Sequence, residues 1–369
     1  MTQDLLYQTG LTLIEGIGDV NAKALLAYCG NAEEVFKQKK SHLQKIPGIG
    51  EVLAKSVSSS HHVLNRAEEE ISFIEKYNIT PLFFTDENYP SRLKYCSDSP
   101  VMLYYKGNAN LNAERIIAVV GTRSPSDYGK EKTKELINDL SDSGALVISG
   151  LAYGVDVLAH KTALENNLQT VGVLAHGLDR IYPQTHDKIA KRMICQGGLL
   201  TDFMSGTNPD AVNFPKRNRI VAGLCDALVV VESGRKGGSL ITATIANSYN
   251  KDVFAFPGRA GETLAEGCNG LIKRNRAALI ENAEDLLYAM QWQQEDKKTK
   301  NKSLQIPLPV NLSDEEKSIL NLFAEKQNIH IDELCHSTQM PVSQLSGLLL
   351  QLEFSNLVKS KPGKLYERV

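Results

Sequence analysis

Residues 214–243 read FPKRNRIVAGLCDALVVVESGRKGGSLITA. The run Ala227–Val231 is short, rich in β-branched residues and bounded by turn formers, the pattern of a central parallel strand. Gly237, Gly238 and Ser239 follow, and Leu240–Ser248 continues at helical spacing. A strand, a glycine turn, a serine at the cap and a helix together aim backbone N–H groups and a positive helix end at an anion. Lys216, Arg217 and Arg219 lie just upstream, so the expected anion is a phosphate.

Outward from this stretch, residues 111–290 alternate strand and helix. Strand-like runs are Ile116–Val120, Ala145–Ser149, Thr170–Leu174, Ala227–Val231 and Val253–Phe256, separated by helical stretches such as Lys130–Leu140 and Asp156–Glu165. Such alternation predicts an α/β fold with a doubly wound parallel sheet, which binds ligands beyond the carboxyl ends of its strands. The residues there are small or polar: Gly121, Thr122, Arg123 and Ser124 after the first strand, Gly150, Gly154 and Asp156 after the second, His176 and Gly177 after the third, Glu232, Ser233 and Gly234 after the fourth. Arg123 is a second phosphate candidate, its planar fork suiting bidentate contact; the competing reading is an ion pair across the sheet top. Asp156 is expected to cap or orient the helix it opens.

The rest of the chain divides into four further parts. Residues 1–65 hold two glycine turns, Gly16-Ile17-Gly18 and Gly48-Ile49-Gly50, each followed by a helix, Val20–Cys29 and Val52–Ser59. This near-repeat resembles a pair of helix-hairpin-helix motifs, whose Gly-Ile-Gly turns offer amides to a DNA phosphate. Gly48 and Gly50 are therefore possible DNA contacts, with Lys23, Lys45 and Lys55 as the few supporting cations; two ordinary connections in a small helical bundle are the alternative. Residues 66–110 read as a connecting segment and 291–308 as a polar, charged linker. Residues 309–369 begin with a capped helix start, Ser313-Asp314-Glu315-Glu316, and continue with three helical stretches and a hairpin, which suggests a winged helix. Its expected recognition helix, Pro341–Phe354, carries no Lys or Arg, whereas Lys359, Lys361, Lys364 and Arg368 make the hairpin basic. A major-groove reader needs cations, so this unit is expected to serve protein contacts or self-association, with wing contacts to DNA at most.

Composition narrows the function classes. The 369 residues carry a net charge of −2, so a nucleic-acid site must be a local patch. No apolar run approaches membrane-spanning length, and the opening MTQDLLYQTG has no apolar signal core, which leads us to expect a cytoplasmic protein with no membrane partner. Six cysteines stand singly with no C-x-x-C pair, which argues for free thiols and against zinc. The first strand ends without G-x-G-x-x-G, and no Walker-type G-x-x-x-x-G-K-[ST] occurs, which disfavours dinucleotides and P-loop ATP hydrolysis. We find no G-x-S-x-G or H-E-x-x-H, so no catalytic residue, metal or cofactor is assigned; His160, His176 and His186 are single histidines. Phosphate ligands beside Phe214 are the recipe for single-stranded nucleic acid. Arg235 and Lys236 enlarge the patch, and Lys273, Arg274 and Arg276 are lesser candidates.

Six motifs in order then match one family: Gly121-Thr122-Arg123, Ser149-Gly150-Leu151-Ala152-Tyr153-Gly154-Val155-Asp156, Tyr182-Pro183, Phe214–Gly223, Gly238-Ser239-Leu240-Ile241-Thr242-Ala243 and Phe256-Pro257-Gly258 with Gly267–Ile272. Over roughly residues 75–285 the chain resembles the DprA (Smf) family of DNA-processing proteins of bacterial natural transformation. The resemblance implies an extended Rossmann-like domain that binds incoming single-stranded DNA, loads RecA recombinase onto it, forms a homodimer and has no established enzymatic activity. It places Gly121, Arg123, Ser149, Gly150, Lys216, Arg217, Asn218, Arg219, Gly238 and Ser239 at the DNA; the reading of the turns and the basic patch adds Thr122, Arg235, Lys236 and Gly237, with Asn269 and Lys273 as possible contacts. Two departures stand out. His186 occupies a position where the family usually has Asn, a candidate pH-sensitive phosphate contact, and Lys273–Ala277 is more basic than the family's Gly-Ala. Two rival readings remain at this stage: a phosphoribohydrolase-like nucleotide-processing enzyme with Glu232 as the catalytic carboxylate, and a small-ligand sensor coupled to the winged helix.

Overall fold

A computed structural model describes residues 3–292 and 312–368, apart from 325, 356 and 362. Its main sheet has nine strands: β1 (Thr80–Phe83), β2 (Met102–Gly107), β3 (Ile116–Val120), β4 (Leu146–Gly150), β5 (Thr170–Val173), β6 (Gly197–Thr201), β7 (Ala227–Val230), β8 (Asp252–Ala255) and β9 (Ala278–Leu279). They lie in the order β1-β2-β6-β5-β4-β3-β7-β8-β9. The run from β6 to β9 is parallel, while β1 and β2 pair antiparallel at one edge. The doubly wound α/β fold expected from the alternation is therefore present. From β3 the chain winds outward through β4, β5 and β6, then returns to place β7 on the other side of β3, with β8 and β9 beyond. The switch point falls at the carboxyl ends of β3, β4 and β7, where such sheets open a crevice.

Both faces of the sheet's centre are covered, and β3, β4, β5 and β7 are buried at every position. On β3, Ile116, Ala118 and Val120 face one core with the Asn213–Leu224 and Gly238–Ser248 helices. Ile117 and Val119 face the other, with the Asp127–Asp139 and Val155–Glu165 helices. All five side chains are buried, each Ile or Val contributing about 1.5–3 kcal/mol.

Three expectations need correction. Residues 66–110 do more than connect: they supply β1 and β2. The N-terminal helices pack directly on these strands, sharing one core with Phe83, Met102 and Tyr104. The strand β6 went unread because Gly197 and Gly198 open it. A Cβ on Gly198 would lie 2.4 Å from the Tyr105 ring, so the glycine lets Tyr105 cross the sheet there. Finally, Ser239 is not the cap of its helix. Gly237 is, with no side-chain cap bond, and the Ser239 hydroxyl donates to Ser233 Oγ (2.9 Å) one turn lower.

The C-terminal unit is a winged helix. Its three helices, Asp314–Leu322, Ile331–Thr338 and Val342–Phe354, lean on a sheet of β10 (Asn328–His330), β11 (Val358–Lys361) and β12 (Leu365–Arg368). Ser313 and Glu316 form the expected capping box. The unit docks on the amino ends of β3, β7 and β8: Lys251 Nζ meets Asp332 (2.8 Å), Lys364 Nζ meets Asp252 (2.5 Å), and His330 Nε2 lies 3.6 Å from Asp226, itself bound by Arg92 (2.7 Å). Residues 293–311, which hold most of the expected linker, lie outside the described residues.

Candidate nucleic-acid interface

At the switch point lies a cleft of 380 Å³. Gly121, Thr122 and Arg123 leave β3 on one side, Gly150 ends β4 as its floor, and Gly237, Gly238 and Ser239 open the next helix on the other. No side chain caps that helix; Leu240 N–H donates to Gly237 O (3.1 Å), and Gly238 and Ser239 ahead of it line the cleft with their backbone. Gly150 is required by close approach. A Cβ there would stand 2.2 Å from Arg217 Nη1 and 2.4 Å from Asp156 Oδ2, so both charged groups crowd the space over the glycine.

The basic cluster lies on the Asn213–Leu224 helix, and helical geometry divides it. Phe214, Arg217, Asn218 and Val221 recur at the 3.6-residue period and line the cleft. Lys216 and Arg219 fall on the opposite side and line a separate groove of 780 Å³ against the N-terminal hairpin Ile17–Ala22. Arg217 is buried. Its Nη1 donates to Val173 O (2.5 Å), and its Nε has no hydrogen-bond partner among the described residues. Burial lowers its pKa, opposed by the Asp156 carboxylate; burial in turn raises the Asp156 carboxyl, opposed by Arg217. Arg219 is already occupied, its Nη2 held between Asp202 (2.8 Å) and Asp19 (2.9 Å) and its Nη1 donating to Asp98 O (2.5 Å). Its role is to tie the hairpin unit to the sheet.

Arg123 is exposed and lies over the Phe214 ring, 5.5 Å from its centroid. It makes no ion pair among the described residues, which sets aside the ion-pair reading. Beyond it opens a narrower recess with Tyr153 and Tyr182 at its mouth, two aromatics absent from the sequence-based candidates. In the sequence each stands beside a turn former, Tyr153 before Gly154 and Tyr182 before Pro183.

The remaining candidates lie elsewhere. Ser149 is buried, its Oγ donating to Val119 O (2.6 Å), so it ties β4 to β3 below the cleft. Arg235, Asn269 and Lys273 line a third groove with Arg274 and Arg276. The Asn269 amide is spent on the Gly258 backbone, accepting at 3.1 Å and donating at 2.9 Å. Lys236 is exposed at the turn between them. Gly48 and Gly50 are exposed on the hairpin unit, but Glu51 begins the helix after Gly50 and pairs with Lys40 (2.9 Å), while Asp19 does the same after Gly18. Each hairpin thus begins its helix with an acidic residue, the Asp19 carboxylate turned to Val101 N–H (2.9 Å) and Arg219. Lys23, a supposed supporting cation, points inward to Ser99 Oγ (2.6 Å).

Neither His186 nor Glu232 offers a group to the cleft. His186 is buried beside Tyr153, with Nδ1 3.0 Å from Leu151 O. Glu232 accepts from Ser126 N (2.8 Å) and Ser126 Oγ (2.6 Å), anchoring the start of the Asp127–Asp139 helix. In the wing, Lys361 pairs with Glu367 and Lys364 with Asp252.

Comparison with known proteins agrees with this architecture. Residues 80–291 match the family model for DNA recombination-mediator protein A, and residues 305–364 match the DprA winged helix domain. The chain is 30% identical to Protein Smf of Synechocystis over 98% of both chains, and 38% identical to the DNA processing protein DprA of Streptococcus pneumoniae over 55% of this chain and 71% of that one. The X-ray structure of the Streptococcus pneumoniae protein aligns with a TM-score of 0.65 at 29% identity, covering 77% of this chain and 97% of that one. A structure of DNA processing protein A from Helicobacter pylori, described for its single-stranded DNA binding mode, aligns with a TM-score of 0.53 at 30% identity, over 58% of this chain and 96% of that one. A sheet with its cleft at the switch point, a docked winged helix and matches along nearly the whole chain place this protein in the DNA recombination-mediator protein A family, the DprA/Smf DNA-processing proteins.

Proposed function

We propose that the protein binds single-stranded DNA without regard to sequence, in the cleft between β3, β4 and the Asn213–Leu224 helix, and that it acts in DNA processing during transformation or recombination. The observation that carries this reading is the junction of Arg123, Arg217 and an uncapped helix start with the half-buried ring of Phe214. Cations and backbone donors take phosphates, which carry no base information; an aromatic face stacks on any base. The Helicobacter pylori relative, whose structure concerns single-stranded DNA binding, supports the assignment.

Within this reading Arg123 and Arg217 neutralise phosphates, Gly121, Gly150 and the Gly237–Ser239 turn let the backbone approach, Val173 O anchors Arg217, and the Asp156 carboxylate favours its charged form. Lys216, Arg235 and Lys273 line flanking grooves where a longer strand would pass, with Lys236 exposed at the turn beside Arg235. Loading of RecA recombinase, a homodimeric state, the absence of catalysis and a cytoplasmic site of action complete the proposal; the family resemblance supports them. No helix among the described residues is long and apolar enough to cross a membrane.

The test is fluorescence anisotropy with a labelled single-stranded oligonucleotide across a salt series. Wild type should bind with a steep salt dependence and prefer single strands, and Arg123→Ala and Arg217→Ala should each weaken binding at least tenfold. Variants that bind like wild type would remove the cleft from consideration.

A further inference from the structure

The winged helix is held to the sheet by charge and not by a shared core. Among the described residues no cluster of buried apolar side chains draws on both units. The N-terminal hairpin unit differs, since its core runs into β1 and β2. At the winged-helix contact the buried Lys251 meets Asp332 (2.8 Å), Lys364 meets Asp252 (2.5 Å), and the rings of Tyr95 and His336 lie 5.8 Å apart. Asp226, which faces His330, has partners of its own on the sheet side, Arg92 (2.7 Å) and Ile116 N–H (2.9 Å). Undocking therefore exposes little apolar surface and returns charges to water, and their hydration offsets much of the lost ion-pair energy. Units of one chain joined by so polar a contact are free to part and close again.

What docking covers is the wing. A Cβ on Gly363, at the tip of the β11–β12 hairpin, would lie 2.1 Å from Glu114 O, so the tip sits against the backbone ahead of β3. Lys364 beside it is spent on Asp252, and Ser360 Oγ donates to Gln291 Oε1 (3.3 Å). The wing's other cations are Lys359, Arg368 and Lys361, the last paired with Glu367 inside the hairpin. The Val342–Phe354 helix has no Lys or Arg to set against a phosphate, so the hairpin is the basic part of the unit.

We propose that the docked winged helix is the closed state of a latch, and that in the open state its wing grips the backbone of duplex DNA through Lys359, Lys364 and Arg368. The hairpin offers cations and no exposed aromatic ring for a bare base, so it suits the dense phosphate rows of a duplex and not a single strand. Docking and duplex binding exclude each other, because both claim Lys364 and the hairpin tip. A duplex that binds the open state alone shifts the latch toward it.

The experiment pairs small-angle scattering of the full chain with anisotropy of a labelled duplex oligonucleotide. Lys251→Met removes the cation opposite Asp332, and Asp252→Asn, at a half-exposed position, releases Lys364. Both variants should keep the far-ultraviolet dichroism of wild type and scatter as a more expanded particle. Each should bind duplex about tenfold more tightly than wild type, the factor hidden when the wing is free in about one molecule in ten. The salt slope should steepen by about 2–3, near 0.9 for each of the three wing cations. Lys251→Met loses a positive charge and still gains affinity, which no general charge effect produces. Adding Lys364→Ala and Arg368→Ala to Lys251→Met should return duplex binding to the wild-type value while the particle stays expanded. Expansion without a gain in duplex affinity, a gain that survives loss of the wing cations, or compact scattering from both variants overturns the inference.

Discussion

Arg219→Ala separates two roles that the sequence runs together. Arg219 and Arg217 are neighbours in one basic cluster, yet Arg219 spends its guanidinium on Asp19 and Asp202. Its removal leaves two carboxylates facing each other, and one of them, Asp202, already has an oxygen without a partner. Breaking a buried ion pair from one side costs about 3–5 kcal/mol. Arg219 and Asp19 remain 17% and 25% exposed, so the lower end applies, about 3 kcal/mol. For a body of this size that is a fall in melting temperature of about 6–12 °C. The salt slope of single-strand binding should not change. Arg123→Ala should do the reverse: an unshifted melt, because the side chain is exposed and unpaired, and a slope shallower by about 0.7, since one phosphate is no longer neutralised. A pH arm sharpens the test. Burial holds the Asp202 carboxyl above its usual value even with Arg219 beside it, and losing Arg219 raises it further. A carboxyl raised by folding takes up a proton as the chain folds, so the stability deficit of Arg219→Ala should shrink as pH falls and reappear as pH rises through the folded value. Differential scanning fluorimetry across pH, with anisotropy across salt, measures both. An Arg219→Ala protein that melts like wild type and loses salt slope would refute the division of the cluster.

Three further outcomes follow from the geometry. Gly150→Ala drives a methyl into the space shared by Arg217 and Asp156. It should reduce single-strand affinity at least tenfold in anisotropy, with the far-ultraviolet dichroism of wild type. The winged-helix interface should be acid-labile. At Asp226 burial is outweighed by Arg92 and His330, and at Asp332 by Lys251 and His330, so both carboxyls titrate below their usual range. Their contribution is complete above about pH 4 and is lost as pH falls through the depressed values; small-angle scattering should show the particle expanding there, and Lys251→Met should expand it at neutral pH. Incubation with nucleoside monophosphates should release no free base by chromatography, because Glu232 is committed to Ser126; release that disappears in Glu232→Gln would establish the hydrolase instead.

What the sequence disclosed, and what it hid, follows from the range of the forces involved. β7 and the helix after it were legible because a continuous apolar run and a glycine turn are local signals. β1 was hidden by Pro81, tolerated because β1 is the edge of the sheet. β6 was hidden by Gly197 and Gly198, whose reason is Tyr105, far away in the chain. The cleft residues Arg123, Arg217 and Gly238 were found by their places at strand ends and turns. The diversion of Arg219 was not, because Asp19 and Asp202 reach it only after the hairpin unit docks. Helical spacing alone would have set Arg219 apart from Arg217, since Phe214, Arg217 and Val221 already mark one face. The tyrosines of the recess were quoted within motifs but read as punctuation; their exposure is visible only in three dimensions.

The cleft opens at the carboxyl ends of the strands, and the winged helix is bolted to their amino ends. A strand of five residues spans about 17 Å, so the sheet stands between them as a spacer. On the proposed reading, a protein that gripped the winged helix would stand a sheet's depth away from a strand held in the cleft. The molecule has the build of a coupling with two separate sockets, and what is held at one end need not be let go when the other is engaged.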